Sequence, residues 1–183
     1  MRFFRHFKTI TRHKLMVMKY CFRIGLYRQG LAHDMSKYHP KEFRIGVKYY
    51  IGTESPNAEE RKKTGVSTAW LRHKGRNKHH FEYWIDYSPN PEEGFVGMKM
   101  PLQYVAEMFC DRLAASKNYR GENYTSDYPL AYYIKDRDKI IIHPDVDALL
   151  IKLLTMLKDE GEDATFAYIK TLLKQEKTVK KRL

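Results

Sequence analysis

The chain has 183 residues and a formal net charge of +12, which comes from 34 lysines and arginines against 22 aspartates and glutamates. The hydrophobic share of 43% is too high for an intrinsically disordered protein. No apolar stretch approaches the roughly 18 uncharged residues that a membrane-spanning helix needs. We therefore exclude a transmembrane protein and predict a single domain over residues 1–183.

Cysteine content and charge indicate the compartment and the partners. Only Cys21 and Cys110 are present, too few for a disulfide framework or a zinc ribbon, and charged residues interrupt the first apolar stretch. We therefore predict a cytoplasmic protein with two core thiols. The positive charge favours an anionic small molecule, most simply a phosphorylated one, with nucleic acid as a further option and no membrane partner. The oligomeric state is left open.

The first half of the chain shows the three- and four-residue apolar spacing that is typical of amphipathic helices. Gly30 is a natural stop for the first helix, Pro40 is a natural start for the third, and Gly65 is expected to bend the fourth. The predicted helices cover residues 11–29, 31–38, 40–52, 58–73 and 79–85.

The second half begins with a predicted surface loop, because residues 87–100 are rich in proline and glycine. Strand signal is nearly absent: the single β-branched run, from Ile140 to Ile142, is stopped by Pro144. The sequence therefore predicts an all-α, single-domain helical bundle, with a motif-bearing core at about 11–119, C-terminal helices at about 127–177 and a basic tail at 174–183. The helices predicted in this half cover residues 101–119, 128–137, 145–158 and 163–177.

Candidate metal ligands begin with the adjacent pair His33 and Asp34. Neighbouring helical residues point about 100° apart, so both can reach one ion only if it lies above the helix between them. An imidazole and a carboxylate suit Mn²⁺, Fe²⁺, Co²⁺, Ni²⁺ or Zn²⁺. Lys37 lies on the same predicted helix face, where its ammonium could meet a phosphate. The alternative is a helix cap beside a buried structural histidine.

The segment from Leu31 to Lys37, with the sequence LAHDMSK, resembles the signature of the HD-domain superfamily. The resemblance implies an HD-type helical domain in which an earlier histidine and a later aspartate complete the metal ligands, and His13 and Asp111 occupy those places. The alternatives are a surface histidine and a surface ion pair. The sequence is also similar to an uncharacterised family of bacterial and phage proteins. The resemblance covers about residues 11–119.

A histidine-rich segment between these motifs resembles the extra ligands of HD proteins that bind two metals. It contains His73, His79 and His80. Because His73 and His79 are only six residues apart, the prediction is one or two ions. Adjacent histidines on a helix point in different directions, so one of the pair could instead orient substrate or pack.

Substrate-binding residues are predicted at a helix break directly before the double histidine. Backbone amides and cations at such a break can hold a phosphate, although a solvated turn is the alternative. The predicted substrate-binding residues are Lys37, Arg76, Asn77 and Lys78.

The function expected from these features is metal-dependent hydrolysis of a nucleotide or other small phosphoester through a metal-activated water. Asp34 would align the water as well as bind metal, and Lys37 and Arg76 would stabilise the developing charge. Two alternatives remain. One is an HD-type di-iron oxygenase of a small molecule, and the other is a basic nucleic-acid-binding module with a silent metal site.

Overall fold

The computed structural model describes residues 1–180 and is mostly helical. Within these residues the chain forms eight α-helices, joined by 3-10 turns and one small β-hairpin. The prediction of an all-α, single-domain protein is confirmed. The helices are α1 (Arg2–Arg23), α2 (Tyr27–Ala32), α3 (Pro40–Lys48), α4 (Pro56–Thr64), α5 (Thr68–Lys74), α6 (Leu102–Arg120), α7 (Tyr128–Asp136) and α8 (Pro144–Lys180).

Helices α1 and α6 form the centre of the bundle. They pack against each other, α2 covers α1, and α8 covers α6. Tyr20 of α1 stacks on Phe166 of α8 with ring centroids 5.4 Å apart. Removing each large apolar side chain of this core from water contributes about 1.5–3 kcal/mol to folding. Fully buried core residues include Val17, Cys21, Phe109, Cys110 and Leu113, and both cysteines are free.

The first helix differs from its predicted bounds of 11–29 at both ends. It begins at Arg2, since the first three turns already bury His6 and Ile10. It ends at Arg23, and the chain turns at Gly25, which has a φ of 81°. Gly30, the predicted stop, lies inside α2. A Cβ at that position would lie 3.0 Å from the Cβ of Cys21, so glycine there permits close packing of α2 on α1.

Helix α3 packs on the beginning of α1 around a buried histidine. The His6 ring lies 5.2 Å from that of Phe43 and 5.7 Å from that of Tyr50. A Cβ at Gly46 would overlap the His6 imidazole. The predicted helix over residues 40–52 ends early, at Lys48.

The predicted helix over residues 58–73 is two helices, α4 and α5. Gly65 ends α4 with a φ of 79°, and the Oγ of Ser67 accepts a hydrogen bond from the amide of Trp70 to begin α5. The predicted helix over residues 79–85 is wrong: only a 3-10 turn, Phe81–Trp84, forms there.

A two-stranded antiparallel hairpin occupies much of the predicted loop. It consists of β1 (Ile85–Tyr87) and β2 (Phe95–Gly97), with Ile85 opposite Gly97. Strands of three residues are too short to show an alternating pattern, which explains why the sequence did not reveal them.

The last helix, α8, consists of two parts that match the predictions at 145–158 and 163–177. Gly161, with φ 83° and ψ −177°, separates them. The predicted basic tail begins as an exposed helix end that includes Lys174, Lys177 and Lys180, and residues 181–183 lie outside the described part of the chain. Across residues 1–180, no helix combines the length and the apolar character needed to cross a bilayer.

Candidate metal centre

The His33 and Asp34 pair lies in a tight turn, so the predicted helix over residues 31–38 is wrong at its centre. Helix α2 ends one residue before His33, and a 3-10 turn, Met35–Tyr38, follows Asp34. Asp34 has a φ of 54° and is the only non-glycine residue with positive φ in the described chain. Lys14 of α1 secures the turn by donating a hydrogen bond to the carbonyl oxygen of His33 at 2.9 Å. Because the backbone is not helical here, both side chains can face one interior point.

Asp34 lies between two groups of candidate ligands, one near its Oδ2 atom and the other near its Oδ1 atom. The first ligand group consists of His13 on α1, His33 on the turn and Asp111 on α6. The second ligand group consists of His73 on α5 and of His79 and His80 after it. When Asp34 is counted in each, the ligand atoms of a group all lie within 4.8 Å of one another.

The distances show how the two groups divide. Asp34 Oδ2 lies 3.3 Å from His33 Nε2 and 3.6 Å from His13 Nε2. Asp34 Oδ1 lies 3.1 Å from His73 Nε2 and 3.4 Å from His79 Nε2. The arrangement therefore suits two ions that share one carboxylate.

The histidine Nε2 atoms are positioned to bind metal ions and make no hydrogen bonds within the cluster. The Nε2 atoms of all five histidines are buried, and although carboxylate oxygens lie close to them, none is aligned for a hydrogen bond. Buried polar atoms without a hydrogen-bond partner are rare in proteins, and five in one cluster indicate a set of ligands that could hold metal ions. Nitrogen and carboxylate donors without thiolate suit a divalent transition metal and leave its identity open.

Two outer carboxylates orient the histidines. Glu107 Oε1 accepts a hydrogen bond from His33 Nδ1 at 2.9 Å and lies 3.1 Å from His79 Nδ1, so it contacts one histidine of each group. Glu42 Oε2 lies 3.1 Å from His73 Nδ1. A proton on Nδ1 leaves Nε2 free as a ligand, which is how carboxylates commonly support metal-binding histidines.

The buried carboxylates of the cluster favour positive charge at its centre. Burial alone would raise the pKa of Asp34, but His33 and Lys37 outweigh burial and hold that pKa well below its usual range. Burial alone would lower the pKa of His79, but the neighbouring carboxylates of Asp34 and Glu107 raise that pKa to about 10. A proton on the His79 imidazole thus offsets part of the buried negative charge, and a bound cation would replace that proton.

His79 and His80 both face the cluster because they follow a turn and are not helical. The His80 ring lies 4.2 Å from the His79 ring and 4.7 Å from Trp70, measured between centroids. Burial, together with the neighbouring His79 and His73, lowers the pKa of His80 well below its usual value. His80 is therefore neutral, as a metal ligand must be.

Lys37 lies at the edge of the cluster, where a substrate could reach it. Its Nζ is 2.5 Å from Asp34 Oδ2, and its side chain is 28% exposed. Burial opposes the charge, but Asp34 and Asp111 raise the pKa of Lys37, which stays an ammonium.

A cavity of about 320 Å³ opens from the metal centre, within the range of small-molecule sites. His13, Lys37, His80 and Asp111 line the end that belongs to the cluster. The geometry thus combines ligands for two ions, an ammonium and room for a small molecule.

A protein-family model matches residues 2–156, which includes every residue of the cluster. The chain belongs to DUF5662, a family of unknown function. No curated protein and no solved structure matches the chain significantly. The expected similarity to an uncharacterised family agrees with this membership.

Three of the four substrate-binding residues predicted for this DUF5662 member lie outside the cavity wall: Arg76, Asn77 and Lys78. Asn77 is structural, since its side-chain amide donates to the carbonyl oxygen of His73 at 2.8 Å. Arg76 is exposed and donates to the carbonyl oxygen of Arg72 at 3.2 Å. The Lys78 ammonium lies 5.7 Å from the centre of the Tyr83 ring. Of the predicted substrate-binding residues, Lys37 alone lines the cavity.

Sequence reasoning missed Glu42. It considered Glu107 as an outer hydrogen-bond acceptor or a general base but did not include it among the predicted site residues. Glu42 lies in the first turn of α3, where an acidic residue favours the helix N-terminus and suggests no further role. Glu107 had a usable signal: it lies one helical turn before Asp111 in the apolar run of α6, and an acid in such a run requires a partner.

Proposed function

We propose that the protein is a metal-dependent phosphohydrolase that acts on a nucleotide or another small phosphoester. One observation supports this most strongly. Buried histidine Nε2 atoms without hydrogen-bond partners lie in two groups around Asp34, next to a cavity that Lys37 lines. The order of His13, the His33 and Asp34 pair, the later histidines and Asp111 also agrees with membership of the HD-domain superfamily.

Each residue of the site would have a defined role in the hydrolysis. Divalent ions bound at this centre would lower the pKa of a water ligand toward neutrality and withdraw charge from a phosphoryl oxygen. Asp34, held ionised, would orient the water by accepting its hydrogen bond. The Lys37 ammonium would stabilise the charge that develops on the phosphoryl oxygens. Glu42 and Glu107 would keep the imidazoles in place.

An HD-type di-iron oxygenase is the competing function, because two ligand groups that share a carboxylate also suit a pair of irons. The position of Lys37 favours the hydrolase. An ammonium at the edge of the cavity complements a phosphate, whereas dioxygen and a neutral substrate offer it no counter-charge.

The test begins with metal content and activity of the purified full chain. Elemental analysis is followed by anaerobic assays of phosphate release from p-nitrophenyl phosphate and from mononucleotides, and of ester cleavage in cyclic nucleotides. We expect metal-dependent turnover, loss of metal in Asp34→Asn, and a kcat lowered about 10²–10³-fold in Lys37→Met with its metal retained. Lys19→Met, which changes an exposed lysine of α1, is the control.

Two results would overturn the proposal. One is a metal-loaded protein that hydrolyses none of these esters but consumes dioxygen with a small molecule. The other is strongly salt-dependent binding of nucleic acid without any turnover.

A further inference from the structure

Two charged side chains in the wall of the cavity have no role in the metal centre. Glu82 belongs to the 3-10 turn Phe81–Trp84, and Arg112 directly follows Asp111 on α6. Both line the same cavity as Lys37. They therefore lie beside the space that a substrate would fill beyond its phosphate.

Each of these side chains has a buried polar atom without a partner. Glu82 Oε2 and Arg112 Nε make no hydrogen bond. The Arg112 guanidinium instead lies over the Tyr133 ring, 4.8 Å from its centre. Leaving a buried donor or acceptor unpaired costs about 1–3 kcal/mol. Such a cost is retained in a binding site because a ligand repays it.

The rest of the cavity wall indicates the shape of the ligand. Trp70, Phe81, Tyr119 and Tyr128 line it, so the polar pair shares the cavity with several aromatic side chains. Flat rings favour a planar ligand, whose faces they can stack against. A carboxyl and a guanidinium on the same wall favour a ligand edge that carries an N–H donor and a carbonyl or ring-nitrogen acceptor together. A second phosphate fits poorly, because Glu82 would oppose it.

We propose that Glu82 and Arg112 bind the edge of a nucleobase or a similar planar heterocycle, so that the substrate is a nucleotide and not a simple alkyl or sugar phosphate. The Glu82 carboxyl would accept an N–H of the ring, and Arg112 would donate to an adjacent acceptor. The statement that this ligand is a substrate rests on the proposed function. Binding of the heterocycle itself does not require catalysis.

The test uses nucleosides, which carry no phosphate. Calorimetric titration of the full chain with guanosine, adenosine, cytidine and uridine should reveal binding of at least one of them, with ribose much weaker. Glu82→Gln and Arg112→Gln should each weaken the preferred nucleoside at least tenfold and leave the metal content unchanged. The matched controls Glu92→Gln and Arg28→Gln, both at exposed positions, should bind as the wild type does.

The remaining outcomes separate this inference from the proposed function. Nucleoside binding that depends on Glu82 and Arg112, without any phosphoester hydrolysis, would refute only the hydrolase. Hydrolysis of p-nitrophenyl phosphate without nucleoside binding, or with binding that neither substitution weakens, would refute the nucleobase subsite. If Arg112→Gln fails to fold, Arg112→Lys keeps the cation but loses the planar fork, and its affinity for the nucleoside should still fall.

Discussion

Glu107 supports both ligand groups at once, which makes Glu107→Gln a sharp test of the metal centre. Its Oε1 accepts a hydrogen bond from His33 at 2.9 Å and lies 3.1 Å from His79 Nδ1, and its Oε2 accepts a hydrogen bond from Gln29 at 2.7 Å. A glutamine has one acceptor oxygen instead of two. If that oxygen serves the histidines, the new amide nitrogen faces the Gln29 amide nitrogen, and two donors oppose each other. The reverse orientation places an amide nitrogen, which cannot accept a hydrogen bond, beside the Nδ1 atoms of His33 and His79.

The expected magnitude follows from this loss. At least one buried hydrogen bond disappears in either orientation, so the free energy of unfolding of the metal-free protein should fall by about 1–3 kcal/mol. Loss of the carboxylate also weakens the histidines as ligands, and such outer-carboxylate changes typically cost 10–100-fold in metal affinity, or about 1.4–2.7 kcal/mol. Because Glu107 contacts one histidine of each group, both metal affinities should fall together.

The assay is competition for metal with a chromophoric chelator, alongside urea unfolding of the metal-free protein. Glu122→Gln, at an exposed position just after α6, is the control and should match the wild type. A folded Glu107→Gln variant with both metal affinities unchanged would show that Glu107 does not support the ligands. A loss confined to one affinity would contradict its shared role.

Two further predictions concern the scaffold. A Cβ at Gly97 would lie 2.5 Å from the carbonyl carbon of Ile142 and overlap the backbone of His143 as well, so Gly97→Ala should lower the free energy of unfolding in urea by about 1–3 kcal/mol. Gly75→Ala, with its nearest neighbour at 3.4 Å, should change it little, and equal stability of the two variants would refute the close approach. Burial lowers the pKa of His6 from 6.5 to about 4, so between these pH values the folded protein binds fewer protons than the unfolded one and stability rises with pH, by at most about 3 kcal/mol. His6→Phe should lose this part of the pH dependence in urea unfolding measured from pH 4 to 7, and a variant with the same pH dependence as the wild type would contradict it.

The sequence predicted the members of the metal centre better than their local structure. The seven proposed ligands meet in space, since residue type and order along the chain survive errors in helix bounds. The sequence placed His33 and Asp34 on a helix, whereas Asp34 adopts a left-handed turn. No local pattern specifies that conformation, which is held in part by a hydrogen bond from Lys14, a residue distant in sequence.

Tertiary contacts explain part of what the sequence did not predict. The predicted first helix left out the first turns of α1, which pack the polar residue His6 against Phe43 of α3 and against Tyr50, just beyond α3. The outer carboxylate Glu42 was missed for a similar reason. Its partner His73 is on another helix, and nothing in the residues next to Glu42 indicates a buried acid.

The two ligand groups differ in how the fold builds them, and this difference bears on the mechanism. The first group joins α1 to α6, the two helices at the centre of the bundle, so its geometry is set by the hydrophobic core. The second group comes from one short segment, residues 73–80, which reaches the rest of the centre through Asp34 and the outer acids Glu42 and Glu107. Asp34 is therefore a candidate ligand shared by a group built on the hydrophobic core and a group built from one short segment. A substrate that enters the cavity meets His80 from the second group and Asp111 from the first, so its position would depend on how Asp34 holds the two groups together.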